Sequence, residues 1–230
     1  MDTLSNFNMN RVFALNLKES RVKKSIQIIQ RISPKGRLLD VGCSTGEWAL
    51  FWKNDGWESY GIDVNKENIS QAEKKGIITK LCDLNSQQIP FADGYFDVII
   101  AGEVIEHLVD TDRFVRDLFR CLKVGGYLLI TTPNLVSLEN RLRILFGFYP
   151  IWVDYKLENS GHVRAYTPRT LKKHLHSIGF DIIKTTGNWV PFIPQRILND
   201  VQCPMLAISG SIFPSLSMDI IMLARKNSDD

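Results

Sequence analysis

Apolar residues along the first half of the chain follow two alternating rhythms. Val22, Ile26, Ile28, Ile29 and Ile32 fall at helical spacing and stop before Pro34 and Gly36, and residues 37–41 then read as a short buried strand. A helix through residues 48–52 follows. The pattern repeats with a strand at 59–62, a helix near 68–75, a strand at 77–81 and a strand at 96–101. Phe114, Val115, Leu118, Phe119 and Leu122 predict a helix over 112–122, with Gly125-Gly126 expected to punctuate its end and residues 127–131 supplying a fifth strand. Strands separated by helical runs predict a parallel sheet.

After Pro133 the rhythm breaks. Residues 134–169 pass before the next core helix at 171–178, and loops this long usually carry function, so the stretch is expected to be a substrate lid with its own helix over 137–146. Residues 181–185 and 218–224 read as the last two strands, flanking an excursion over 188–217 that contains Pro and Trp.

Composition narrows the class only slightly. Hydrophobic residues make up 44% and charged residues 23%, as in an ordinary globular domain. The formal charge of +3, from 28 basic and 25 acidic residues, gives no strong field for a polyphosphate; nucleic acid is neither indicated nor excluded as a partner. Asp2, Arg11, Lys18 and Glu19 interrupt the first twenty residues, which lack the apolar core of a signal peptide. Cys43, Cys82, Cys121 and Cys203 stand far apart and read as reduced thiols, so a cytoplasmic location is expected. Residues 201–218 carry no charge, yet Pro204, Gly210 and Pro214 argue against a spanning helix. A cap or a peripheral membrane contact is the expectation. Nothing in the pattern fixes an oligomeric state.

The chemistry begins at Leu38-Leu-Asp-Val-Gly-Cys-Ser-Thr-Gly-Glu-Trp48, which places Gly42 and Gly46 in a strand-to-helix turn. A dinucleotide loop would read G-x-G-x-x-G, but Ser44 and Glu47 occupy the second and third glycine positions, and Asp40 and Glu47 would repel a pyrophosphate. That disfavours a nicotinamide-dependent oxidoreductase.

The run Asp40-Val-Gly-Cys-Ser-Thr-Gly46 instead resembles the first motif of the class I S-adenosylmethionine-dependent methyltransferases, with Ser44 in place of the middle glycine. The same family is matched by Gly61-Ile-Asp63, Leu81-Cys-Asp-Leu84, Ile89-Pro-Phe91, Tyr95-Phe-Asp-Val-Ile99 and Gly102-Glu-Val-Ile-Glu-His-Leu108. The resemblance implies a Rossmann-like, doubly wound, mostly parallel seven-stranded α/β sheet with helices on both faces and a lid inserted after the fifth strand. It implies a single domain: an N-terminal helical region at 1–36, a cofactor-binding core at 37–133, the lid at 134–169, and a C-terminal helix, strands and cap at 170–230. S-adenosyl-L-methionine is the implied cofactor, held by Asp40, Gly42, Cys43, Ser44, Gly46, Asp63, Asp83, Leu84, Gly102 and Glu103. In that frame Asp40 and Glu47 suit its ammonium and sulfonium, Asp63 the ribose hydroxyls and Asp83 the adenine amino group.

The implied reaction is methyl transfer to a small-molecule acceptor, an oxygen nucleophile first, with His107 and His162 as catalytic residues and Trp152, Tyr155 and Arg164 as substrate contacts. If Glu103 to His107 began a helix, Glu103, Glu106 and His107 would share one face. The string E-x-x-E-H resembles those of small-RNA terminal 2′-O-methyltransferases and ubiquinone-pathway O-methyltransferases. There metal ligation is part of the family picture, and His162 would complete the set. The commoner pattern has no metal, with Glu103 and Glu106 shaping the cofactor pocket. Phe146, Phe148, Tyr149, Trp152, Trp189 and Phe192 either wall an acceptor pocket or pack the lid. Arg141, Arg143 and Arg164 either meet an anionic group or line a solvated face, and His174 and His176 read as surface or packing residues. A non-catalytic subunit binding a partner through residues 206–216 is the reading from another class.

Overall fold

Alternating side chains along the strands build the core on two sides of one sheet. The computed structural model describes residues 19–32, 34–153, 155–156, 160–191 and 204–228, with backbone alone at 204–207. Phe192 and Cys203 therefore lie outside the described residues. The strands are β1 (Arg37–Val41), β2 (Glu58–Asp63), β3 (Ile78–Leu81), β4 (Phe96–Gly102), β5 (Leu122–Pro133), β6 (Phe180–Gly187) and β7 (Asp219–Lys226). They pair in the order β3-β2-β1-β4-β5-β7-β6. The first five are parallel, and β7 runs antiparallel to both β5 and β6.

The helices are α1 (Ser20–Ile29), α2 (Glu47–Asn54), α3 (Lys66–Lys74), α4 (Thr111–Cys121), α5 (Leu138–Leu145), α6 (Pro168–Ile178) and α7 (Pro204–Ile212). Leu38, Val98, Ile100 and Leu129 point to one face, where Ile28 and Ile29 of α1 and Trp52 of α2 cover them. Their chain neighbours Leu39, Ile99, Leu128 and Ile130 point to the other, against Phe114 and Leu118 of α4 and Leu171 and Leu175 of α6. Each fully buried side chain of this size contributes about 1.5–3 kcal/mol, and a one-residue slip would turn every one of them to the wrong face. The sheet is doubly wound and Rossmann-like, as the sequence implied.

The end of α4 departs from expectation. Gly125 and Gly126 lie inside β5, not at a helix terminus: Phe96 pairs with Leu122 and, past an irregularity, Val98 pairs with Tyr127. Gly125 takes φ 82 within that bend. No helix among the described residues is long and apolar enough to cross a membrane.

The order reverses between β1 and β4, the switch point at which open α/β sheets bind ligands beyond the carboxyl ends of their strands. Because β7 is antiparallel, its first residue arrives at the same end, with Asp219 opposite Pro133.

Candidate active site

A cavity of about 650 Å³ opens at that switch point, within the usual range for ligand pockets of about 300–1,000 Å³. The β1 turn enters it with Gly42 at φ 72 and Ser44 at φ 47. A side chain at Gly42 would stand 2.8 Å from Val104 Cγ2, so only glycine lets the backbone lie this close. Asp63, at the end of β2, fixes the turn: its Oδ2 accepts from the Ser44 N–H at 2.9 Å and its Oδ1 from the Asn65 N–H at 2.8 Å. Asp83, just beyond β3, accepts from the Asn85 N–H and the Ser86 hydroxyl, each at 2.9 Å. Asp40 is buried beneath the turn. Burial, and then the charge of Asp63, push its carboxyl up to about 8. Glu47 is differently placed: burial works against its charge, but hydrogen bonds from Lys75 and Thr45 hold it below the usual carboxylate range.

The turn after β4 is not the helix expected from Glu103 to His107. Glu103 takes φ 57, and Ile105–His107 forms a single 3-10 turn. Glu103 thereby separates from the histidines; its Oε1 accepts from Thr131 Oγ1 at 2.7 Å and lies 3.8 Å from Arg21 Nε. The other three groups do assemble. One donor atom each from Glu106, His107 and His162 lie within 4.8 Å of one another, although His162 is far along the chain.

Glu106 is 1% exposed. Its Oε2 accepts from Thr132 Oγ1 at 3.1 Å, whereas Oε1 has no hydrogen-bond partner. Burial and then the charge of Glu103 raise its pKa well above the usual value. The His107 Nδ1 lies 3.1 Å from the Gly161 carbonyl, and the His162 Nδ1 lies 2.8 Å from that of Trp152. A carbonyl can only accept, so each Nδ1 carries the proton and Nε2 is the basic nitrogen. The Glu106 carbonyl accepts from the N–H groups of Val163 and Arg164, which pins this segment to the 3-10 turn.

Comparison with known proteins gives this arrangement a family. The family model described as a methyltransferase domain matches residues 17–185. The chain belongs to the class I S-adenosylmethionine-dependent methyltransferases. It is 31% identical over 160 residues to the mitochondrial ubiquinone biosynthesis O-methyltransferase of Homo sapiens, covering 66% of this chain and 43% of that protein. The ubiquinone biosynthesis O-methyltransferase of Mesorhizobium japonicum is 28% identical over 185 residues, covering 76% and 74%. The chain spans about half the length of several curated relatives it matches, among them 59% and 50%. A solved S-adenosylmethionine-dependent methyltransferase from Archaeoglobus fulgidus shares the fold with a TM-score of 0.63 at 22% identity, covering 91% of this chain and 93% of that one.

The cofactor of the methyltransferase is S-adenosyl-L-methionine, and the residues present fit it. A buried carboxyl held near neutrality, as Asp40 is, asks for a cation, which the ammonium and sulfonium supply. Asp63 and Asp83 keep acceptor capacity beyond their local bonds, suited to hydroxyl and amino donors. Cys43, Leu84, Gly102 and Glu103 also line the cavity. Gly46 does not; it takes φ 83, and a Cβ there would stand only 2.7 Å from Ala72 Cβ, so it serves the contact between α2 and α3.

Two groups escaped the sequence reading. Arg21 of α1 is the one Lys or Arg lining the methyltransferase cavity among the described residues. Burial opposes its charge, but Glu103, Glu19 and Asp219 raise its pKa. Asp219 accepts from Asn188 Nδ2 at 2.6 Å, and burial and Glu103 push its carboxyl well above the usual range. The only sequence signal for Asp219 was an acid at the start of a strand, and it means nothing until the strand direction is known.

Among the expected substrate contacts, Trp152 lines the cavity, as does the expected catalytic residue His162, and Trp189 joins them. Tyr155 is exposed beside Tyr149, and Arg164 donates to the Val109 carbonyl, so both stand outside the main cavity. Phe146, Phe148 and Tyr149 face solvent instead of walling a pocket. Arg141 and Arg143 are tied to backbone carbonyls of Val136 and Tyr149. His174 is a packing residue, hydrogen-bonded to Tyr166 through Nδ1 and with its Nε2 3.0 Å from Asp112 Oδ1.

Proposed function

We propose that this methyltransferase transfers the methyl group to an oxygen nucleophile of a small organic acceptor, with His107 as base and His162 beside it. The observation that carries the reading is the histidine pair, with ring centroids 4.7 Å apart, in the wall of the same cavity that holds Asp40, Asp63 and Asp83. When bound, the cofactor supplies a methyl group already activated by its sulfonium. The protein's task is then alignment, since holding a nucleophile about 3–3.5 Å from the carbon accounts for several kcal/mol of the barrier. Nε2 of His107 takes the hydroxyl proton, while the Gly161 carbonyl keeps the ring in the required tautomer. Trp152 and Trp189 wall the acceptor space. The human and Mesorhizobium relatives are named as O-methyltransferases of ubiquinone biosynthesis, which supports an oxygen acceptor on a small molecule. The test is incubation of the purified protein with methyl-labelled cofactor and a metabolite extract, followed by mass spectrometry. Label on a small-molecule oxygen is expected.

One observation favours a second reading. The unpartnered Oε1 of Glu106, close to two imidazoles, fits a divalent cation such as Mg²⁺ or Mn²⁺, which would relieve the buried carboxylate and lower the pKa of an acceptor hydroxyl. Under the first reading turnover survives exhaustive chelation. Loss on chelation, rescue by Mg²⁺ or Mn²⁺, and no rescue in Glu106→Gln would establish the second. The lining favours neither a polyanion nor an RNA end, because Arg21 is surrounded by Glu19, Glu103 and Asp219.

A further inference from the structure

Helix α5 turns a single residue inward. Asn140 is 1% exposed, and it is the one buried residue of that helix. Its side-chain amide meets a stretch of backbone well beyond the helix end: Oδ1 accepts from the Ile151 N–H at 2.8 Å, while Nδ2 donates to the Ile151 carbonyl at 3.4 Å and to the Asn134 carbonyl at 3.3 Å. A primary amide offers a donor and an acceptor side by side, so Asn140 holds both backbone groups of Ile151 as a neighbouring strand would. The grip ends in the sheet. Asn134 directly follows β5, and it donates through its N–H to the Met218 carbonyl and through Nδ2 to the Ser217 carbonyl, each at 2.8 Å. Ile151 is thereby tied to the end of β5 and to the approach to β7.

The residue after Ile151 is where this tie acts. Trp152 takes φ 62, a left-handed conformation that a residue with a side chain keeps only where its surroundings over-determine it. In that conformation its carbonyl receives the His162 Nδ1–H at 2.8 Å, and the His162 ring stands 4.7 Å from that of His107 in the cavity wall. The hydrogen bond made by one ring nitrogen sets the tautomer of an imidazole, so the Trp152 carbonyl decides which nitrogen of His162 is basic. Another tie joins α5 to the same loop, Arg143 Nε donating to the Tyr149 carbonyl at 2.8 Å, but it reaches the chain three residues before Trp152.

We propose that Asn140 is a positioning residue for His162. By clamping both backbone groups of Ile151 it holds Trp152 in its left-handed turn, whose carbonyl keeps the proton on His162 Nδ1 and leaves Nε2 as the basic nitrogen. The use of that nitrogen in catalysis rests on the proposed methyl transfer, and the clamp does not.

The test is proton–nitrogen correlation spectroscopy of the full chain carrying isotope-labelled histidine, with a chelator present and at a pH above the ordinary histidine range. The chain has four histidines, and loss of signals in His162→Ala assigns the ring in question. The parent is expected to show the two ring nitrogens of His162 widely separated in shift, as one fixed tautomer. In Asn140→Ala the separation should shrink by at least about a third as the proton spreads over both nitrogens, with S-adenosylhomocysteine affinity kept within about threefold. Asn140→Asp keeps the shape of the side chain without its N–H groups; its separation should shrink too, and it carries the reading if alanine costs the fold. Arg143→Ala loosens the same loop but leaves the amide in place, so it should keep the parent spectrum. An unchanged His162 in a folded Asn140 variant, an equal change in Arg143→Ala, or a mixed tautomer in the parent overturns the proposal. Each outcome is read without turnover, so a failure of the clamp and a failure of methyl transfer are distinguishable.

Discussion

Asp40 sits where two demands meet, close packing under the β1 turn and, on the proposed placement of the cofactor, a charge offered to it. Unfolded, an aspartate titrates near ~3.9. Folded, Asp40 is pushed up to about 8 by burial and Asp63, so the folded chain binds this proton more tightly. Its contribution to stability is thus full below about pH 4 and lost as pH rises through about 8. Asp40→Asn removes that loss. The variant is expected to melt above the parent by a margin larger at pH 8 than at pH 5, while binding S-adenosylhomocysteine more weakly; thermal scans across pH with calorimetric titration check both. Asp63 poses a simpler case. Asp63→Ala removes the acceptor for Ser44 and, on the proposed placement of the cofactor, for the ribose hydroxyls, and at about 1.5–3 kcal/mol per charge-assisted bond the affinity should fall at least tenfold in the same titration. A folded variant with unchanged affinity would place the ribose elsewhere.

At the level of elements, the parallel half of the sheet was legible because its central strands are buried on both faces and carry short apolar runs, such as Val98 to Ala101 in β4. Asp63 and Asp83 were legible from their place in the chain, at the end of β2 and just beyond β3. The direction of β7 was not, because alternation along a strand is the same read either way. With it went the placement of Asp219 opposite Pro133, and of Arg21 facing it from α1. The Glu103 turn was illegible for another reason: helical spacing of Glu103, Glu106 and His107 is only a pattern, and a positive φ at Glu103 cancels it. Gly46 looked like a ligand contact and is a packing contact. Gly46→Ala forces a left-handed non-glycine residue and drives a methyl into Ala72, so unfolding in denaturant should show a loss of at least about 2 kcal/mol.

Across the whole molecule, one cavity joins two chemically distinct ends. Asp40, Asp63 and Asp83 crowd the strand ends of β1 to β3, while Glu106 and His107 meet His162 of the 134–169 segment. His162→Ala and Trp152→Ala are therefore expected to keep S-adenosylhomocysteine affinity within about threefold, yet to lose at least about tenfold in kcat/KM, or about 1.4 kcal/mol of transition-state stabilisation. The most direct test of methyl transfer at this cavity follows label from methyl-labelled S-adenosylmethionine into the acceptor, comparing the parent with His107→Ala at saturating cofactor. The account predicts label on the oxygen of a small molecule with the parent, and at least about tenfold slower labelling in a variant that still binds the cofactor. Cofactor binding without labelling of any small molecule, or undiminished labelling by His107→Ala, would contradict it.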